Sequence, residues 1–152
     1  VLYLHRWRWL KKNALTYVLC SCHKQVRPQL DRHYAAESPT HPLSDILKHG
    51  VYRERISETV TDSLRALLLE AAGYKVQVFE FIGGEHTRKN VMITAVKSKG
   101  SDPDANKIRE QIQSLAKLHG IRELKLAEWM DVDLGTPKMK PKRLANQMPP
   151  LN

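Results

Sequence analysis

Two cysteines and a histidine stand together in the segment Cys20-Ser21-Cys22-His23, directly after a short apolar run. Thiolate sulfur and imidazole nitrogen are ligands that zinc prefers. A zinc site here would need a further histidine, and the candidates are His33, His41 and His49. Cys22 could instead be a nucleophilic or methyl-accepting thiol, a buried core residue, or part of a turn that lines a substrate site. We favour the last interpretation for Cys22 and His23, and we predict no metal.

Polar side chains also meet on one predicted helix and in one predicted loop. Asp62 and Arg65 are three residues apart, so they are neighbours on a helix face, either as a surface ion pair or at the border of a substrate site. The loop over residues 83–90 has three interpretations. It is a solvated polar loop, a site in which His86 and Lys89 contact a phosphate, or a loop whose backbone Asn90 caps by hydrogen bonding. Its candidate residues are Glu85, His86, Lys89 and Asn90.

Three predicted strands must position these side chains. Residues 15–20 are β-branched, aromatic and apolar, which is typical of a buried strand, and the cysteine loop follows its carboxyl end. Residues 74–82 alternate with period two, and residues 91–96 form another strand-like run. The glycines at 83–84 break the chain between the last two strands, so we expect those two to pair antiparallel.

One long amphipathic helix is predicted between the first strand and the second. Its apolar residues recur at three- and four-residue spacing, and Gly73 supplies the C-terminal stop. These residues are Ile56, Val60, Leu64, Leu67, Leu68 and Ala71.

The other elements have weaker patterns. Residues 2–12 are predicted as a helix, and residues 24–50 as loop-rich around one short helix over 43–48, because prolines interrupt the segment at Pro28, Pro39 and Pro42. Asp102 is predicted to cap a peripheral helix that ends before Gly120. Its apolar stripe is Ile108, Ile112, Leu115 and Leu118. Residues 121–130 fit a short helix or a strand.

The basic charge of the chain belongs to its ends. The 152 residues include 25 Lys and Arg against 16 Asp and Glu, a net charge of +9. Residues 1–12 and 136–152 each hold four basic side chains and no acidic one. This distribution fits either solvated ends or ends that contact the phosphates of RNA, in which case binding would depend steeply on salt.

Composition excludes several classes of protein. Hydrophobic residues make up 41% of the chain, which excludes wholesale disorder. No apolar run approaches the ~18 residues of a membrane span, so we predict no membrane segment. Two cysteines are too few for a disulfide scaffold, which predicts reduced thiols in an intracellular compartment, the cytoplasm first.

Three ordered blocks carry a family resemblance. Residues 49–55 (HGVYRER) lead into a helix that continues with TDSLRALLLE at 61–70, residues 79–82 read FEFI, and residues 85–90 read EHTRKN. These blocks resemble class I S-adenosylmethionine-dependent methyltransferases, in the branch recognised by a Pro-Cys-Cys turn and a Glu-His-Thr-Pro-Lys-Asn loop. Cys22 matches one cysteine of that turn, and Arg88 stands where the family has proline. The similarity covers about residues 15–97.

The resemblance implies a partial doubly wound, Rossmann-like α/β sheet, formed by the late strands of a methyltransferase and ending in an antiparallel hairpin. It implies S-adenosylmethionine as the cofactor, held mainly by a glycine-rich turn in the first half of such domains. No such turn occurs in this chain, because the glycine pair at 83–84 lies between two strands. We therefore expect no cofactor-binding residues here.

These observations predict that residues 1–131 are the C-terminal portion of a methyltransferase domain and that residues 132–152 are a disordered, basic Pro/Lys-rich tail. Val1 is not a start methionine, so we expect a fragment that is inactive without its N-terminal half, and RNA is the first acceptor to test. The alternative is a non-catalytic basic module that binds RNA through its ends. The substrate-facing candidates are Cys22, His23, Asp62, Arg65, Glu85, His86, Lys89 and Asn90.

Overall fold

The computed structural model of the chain describes residues 16–19, 23–37, 40–80, 91–97 and 104–137. The predicted helix over 2–12 lies outside these residues. In chain order the elements are β1 (Thr16–Leu19), α1 (Arg27–Glu37), α2 (Ser44–Leu47), α3 (Gly50–Ala71), β2 (Tyr74–Glu80), β3 (Val91–Lys97), α4 (Ala105–Leu118) and α5 (Lys125–Trp129). The fold is mixed α/β, with helices on one side of an antiparallel sheet.

The long helix α3 is the central element, and its prediction is confirmed. Its apolar stripe, with Val60, Leu64 and Leu68 buried, packs against the other helices, while its C-terminal half also contacts β2. The helix ends as predicted, because Gly73 takes a positive φ of 78° that side chains with a Cβ rarely adopt. Buried hydroxyls on α3 are satisfied locally: the Thr61 hydroxyl donates to the Ser57 carbonyl at 2.5 Å.

The sheet has three strands in the order β1-β3-β2. The predicted antiparallel hairpin is confirmed, with Val78 of β2 opposite Ile93 of β3. On its other edge β3 pairs antiparallel with β1, where Val18 also lies opposite Ile93. Because both outer strands run antiparallel to β3, β1 and β2 run in the same direction but are not neighbours.

The two faces of the sheet differ. Tyr74, Ile93 and Ala95 form a small buried cluster with Leu69 of α3. The alternation of a strand places Phe79 and Val96 on the opposite face, where they are 43% and 51% exposed. Thus α3 covers one face, and the second face presents apolar side chains outward.

The larger core lies between helices rather than on the sheet, and this corrects the prediction that α4 is peripheral. Ile108, Ile112 and Ala116 are buried against α3. Leu118, which was predicted as part of the same stripe, is 51% exposed because the helix ends there. The N-cap is Asp104 rather than Asp102, since its carboxylate accepts the Lys107 N–H at 3.3 Å.

Helix α1 contradicts the loop-rich prediction for residues 24–50. Pro28 occupies the first turn, where its missing N–H removes no helical hydrogen bond. The buried amide of Gln29 then fastens α1 to the segment before α5. Its Nε2 donates to the carbonyls of Gln25 and Glu123 at 2.7 and 2.8 Å, and its Oε1 accepts the N–H groups of Arg122 and Glu123 at 2.7 and 3.0 Å.

Packing continues into residues that the sequence assigns to the tail. Leu134 is buried in the helical core, and the Thr136 hydroxyl donates to the Ile121 carbonyl at 2.7 Å. Residues 132–137 therefore belong to the packed part of the chain, and residues 138–152 lie outside the described residues. None of the helices in the described segments combines the length and the apolar character that a membrane crossing needs.

Candidate functional site

His23 follows β1 at the carboxyl end of the strand and initiates α1. Its carbonyl accepts the N–H groups of Val26 and Arg27 at 3.0 and 2.9 Å. Its ring lies between two carboxylates of α3: Nε2 is 2.6 Å from Glu54 Oε1, and Nδ1 is 3.7 Å from Glu58 Oε1. The imidazole is therefore fixed in orientation against the N-terminal half of α3.

An arginine network surrounds this histidine. The Arg27 guanidinium pairs with Glu54, and its Nε donates to Asp31 Oδ2 at 2.8 Å. Arg53 Nε lies 3.5 Å from the other Asp31 oxygen. These pairs tie the start of α1 to the N-terminal half of α3.

Asp62 and Arg65 extend the same side of α3. Glu54, Glu58 and Asp62 are four residues apart, so they follow one another along one face of the helix. Arg65 Nη1 lies 3.4 Å from Asp62 Oδ1, and both side chains are largely buried. The structure therefore places Asp62 about one turn beyond the two carboxylates that hold His23, on the same face of α3.

The other predicted site residues lie outside the described residues. These are Cys22, Glu85, His86, Lys89 and Asn90. The basic ends that suggested RNA also lie outside them, and the described residues contain as many acidic as basic side chains.

The His23 site can support proton transfer. An imidazole held by a carboxylate is a common arrangement for a general acid or base, and Glu54 supplies that carboxylate. The ligand atoms of His23, Glu54 and Glu58 all lie within 4.8 Å of one another, which is close enough to consider a metal. However, Arg27 places a positive charge against Glu54, which opposes a divalent cation there.

A second polar cluster lies at the far end of α1, and the sequence did not predict it. It contains Tyr34, His41 and His119, which are buried, and His33 beside them. The Tyr34 hydroxyl is 2.5 Å from His119 Nδ1, and the Tyr34 and His41 rings lie 4.7 Å apart. His119 is 85 residues from Tyr34 in sequence, so no local pattern could indicate the pair.

Burial sets the ionisation of this cluster, which we define as His33, Tyr34, Glu37, His41 and His119. Desolvation, together with the smaller effects of the neighbouring His41 and His33, lowers the pKa of His119 to about 4. Desolvation, together with the charge of Glu37, raises the pKa of Tyr34 to about 12. Both groups are thus neutral near pH 7, which suits a buried tyrosine–histidine hydrogen bond.

His119 predicts a loss of stability in mild acid. In the unfolded chain its imidazole takes up a proton near pH 6.5, whereas in the folded chain it stays neutral until about pH 4. The unfolded state therefore binds more protons between these values, and the free energy of unfolding falls by roughly 2–3 kcal/mol from pH 7 to pH 4. Urea unfolding at half-unit steps of pH measures this free energy, with a chelator present so that no metal ion contributes.

The matched variant is His119→Gln, which removes this titration. Its stability should depend less on pH than that of the wild type over the same window, even though it loses the bond to Tyr34. Parallel pH profiles for the two proteins would contradict the assignment.

Comparisons with known proteins give no relative for this chain: no family model, curated protein or solved structure matches it at a significant level.

Proposed function

We propose that the chain is the C-terminal part of an S-adenosylmethionine-dependent methyltransferase. The observation that carries this proposal is the strand order β1-β3-β2. β1 and β2 run in the same direction, α3 lies between them in the chain, and the last strand inserts antiparallel between the two. A parallel pair connected through a helix, completed by a late antiparallel strand, is compatible with the trailing part of a doubly wound sheet.

The second face of the sheet supports the same proposal. Phe79 and Val96 are exposed there, whereas Tyr74, Ile93 and Ala95 on the other face are buried with Leu69 of α3. Sheets of the doubly wound class carry helices on both faces. In our proposal an N-terminal half-domain supplies the helices that cover Phe79 and Val96.

We assign binding of the methyl acceptor to the His23 site. In the proposed enzyme His23 and the pair Asp62–Arg65 border the methyl acceptor, because they lie at the carboxyl end of β1 and along the adjoining face of α3. His23, oriented by Glu54, would receive or release the acceptor's proton. RNA is the acceptor class that we propose on the basis of the basic ends.

The described residues do not fit the cofactor itself. A dinucleotide or S-adenosylmethionine cradle needs a glycine turn between a strand and a helix. The glycines with positive φ in the described segments are Gly73, Gly120 and Gly135, and none of them lies in such a turn. Cofactor binding therefore belongs, in this proposal, to the companion half.

The test is a calorimetric titration with S-adenosylhomocysteine on two proteins. One is residues 1–152, and the other is the same chain extended by whatever residues precede Val1 in its gene. We expect no binding at micromolar concentration by residues 1–152, and binding by the extended chain that weakens at least about tenfold when Phe79→Lys charges the sheet face. A matched control is Leu118→Lys, an equally exposed apolar position on α4.

Two results would overturn the proposal. Micromolar binding by residues 1–152 alone would contradict the assignment of the cofactor site to a companion. An extended chain that binds no S-adenosylhomocysteine, while residues 1–152 bind single-stranded RNA with a steep salt dependence, would favour the non-catalytic basic module.

A further inference from the structure

We propose that His33, Glu37 and His41 form a zinc site, separate from the His23 site and independent of the proposed methyltransferase function. His33 and Glu37 are four residues apart on α1, so both point from the same face of the helix. The chain then turns back, and His41 reaches that face. One ligand atom from each of the three side chains lies within 4.8 Å of the other two.

The state of His41 is the second observation that points to a ligand. This side chain is 5% exposed, and its Nδ1 accepts the Leu43 N–H at 3.0 Å. A neutral ring bonded in this way carries its proton on Nε2. That buried atom has no hydrogen-bond partner among the described residues. Buried donors are normally satisfied, so an unpaired Nε2 beside a carboxylate and a second imidazole marks a position where a bound group is expected.

The ligand set and its dimensions select zinc. Two imidazoles with one carboxylate favour Zn²⁺ over Mg²⁺ or Ca²⁺, which prefer oxygen ligands. Ligands about 2.1 Å from a tetrahedral ion are about 3.4 Å from each other. His33 Nε2 and Glu37 Oε2 already have that separation, 3.4 Å. Glu37 is 48% exposed and can rotate to close the remaining distance to His41. Water would complete the tetrahedron.

Zinc binding requires a definite movement of protons. At His41 the ring proton moves from Nε2 to Nδ1, which ends the hydrogen bond from Leu43. At His33 the same change ends the contact between Nε2 and the Leu118 carbonyl, now 3.1 Å long. Both rings stay neutral, and the lone pair of His41 Nε2 then faces the zinc, while the Leu43 N–H, the Leu118 carbonyl and the two new Nδ1–H groups give up these contacts. Two ordinary hydrogen bonds are a small loss beside the affinity of a structural zinc site.

The site would act as a structural clamp. It joins the last turn of α1 to the chain after residues 38–39, and it lies beside the Tyr34–His119 bond that links α1 to the end of α4. Zinc should therefore stabilise the folded chain by an amount that rises with the logarithm of the free ion concentration once this exceeds the Kd.

The experiment titrates Zn²⁺ and Co²⁺ into the chain carrying Cys20→Ser and Cys22→Ser, so that thiols do not compete. We expect one ion per chain, a rise of Tm with Zn²⁺ and none with Mg²⁺, and the intense visible absorption of tetrahedral Co²⁺ that Zn²⁺ then removes. Glu37→Gln changes an exposed side chain and leaves the core unchanged. It should weaken zinc binding at least tenfold, because mutation of even an indirect partner of a metal ligand has an effect of that size. His41→Gln should do the same.

The matched control is Glu58→Gln, which removes a carboxylate from the His23 site and should leave zinc affinity unchanged. Circular dichroism confirms that each variant is folded. Unchanged zinc affinity in Glu37→Gln, loss of binding in Glu58→Gln alone, or no binding at micromolar zinc would each overturn the site.

Discussion

Gly120→Ala is expected to destabilise the folded chain by roughly 2 kcal/mol or more, because it combines two penalties. Gly120 has a φ of +64°, which a residue with a Cβ adopts at a cost. A Cβ built on it would lie 2.3 Å from His33 Cγ and 2.4 Å from His33 Cβ, atoms that cannot move without shifting α1. Urea unfolding at pH 7 measures the loss.

Two further variants separate the penalties. Gly50→Ala is the matched control. Gly50 is the first residue of α3, and the nearest neighbour of a Cβ built there would be Arg53 Nη2 at 3.9 Å. This variant should be neutral or stabilising by up to about 1 kcal/mol. The double variant His33→Gly, Gly120→Ala, compared with His33→Gly alone, removes the overlap with His33 Cβ and Cγ but keeps the strained φ. If Gly120→Ala were no less stable than the wild type, the close packing of α1 on the end of α4 would be wrong.

Leu64→Ala is the second large effect, and we expect a loss of roughly 2–5 kcal/mol. Leu64 is fully buried at the middle of α3, in the core that this helix shares with α1 and α4. Truncation removes apolar contacts and leaves a cavity that these rigid helices cannot fill. Thermal and urea unfolding measure the change.

Leu118→Ala provides the control for Leu64→Ala. It makes the same chemical change on α4 at a side chain that is 51% exposed, so its effect should stay within about 0.5 kcal/mol. Equal losses in the two variants would contradict the helical core.

The sequence predicted the elements whose patterns are local. The apolar spacing of α3 and the alternation of β2 were sufficient, because each pattern repeats within one element and each ends at a glycine or a pair of glycines. The hairpin followed from the two neighbouring strands. The position of β1 beside β3 did not, because a pairing between residues about 75 positions apart leaves no trace in either segment.

Helix α1 was missed because its prolines were interpreted as breakers throughout. Pro28 lies in the first turn, where a helix tolerates proline, and Pro39 and Pro42 come after the helix ends. The alanine and glutamate at its end, Ala35, Ala36 and Glu37, favour helix. With α1 assigned as a helix, His33 and Glu37 would have been recognised as neighbours on one face.

The candidate site was predicted in part. His23 packs against the face of α3 that also carries Asp62, but its partners Glu54 and Glu58 were not among the predicted site residues. Which rotation of a helix meets which loop is decided by packing of the whole core. Asp102 before Pro103 fits a cap by sequence, but Asp104, two residues later, caps the helix, because its carboxylate accepts the Lys107 N–H.

The order β1-β3-β2 also governs when the sheet can close. β2 and β3 are near in sequence and can pair early, whereas β1 cannot pair until β3 has been made. During synthesis β1 is made before the other two strands of this sheet, and the edge that it presents to β3 stays unpaired while some 75 further residues are added. Such a nascent chain is a natural client for chaperones that shield strand edges.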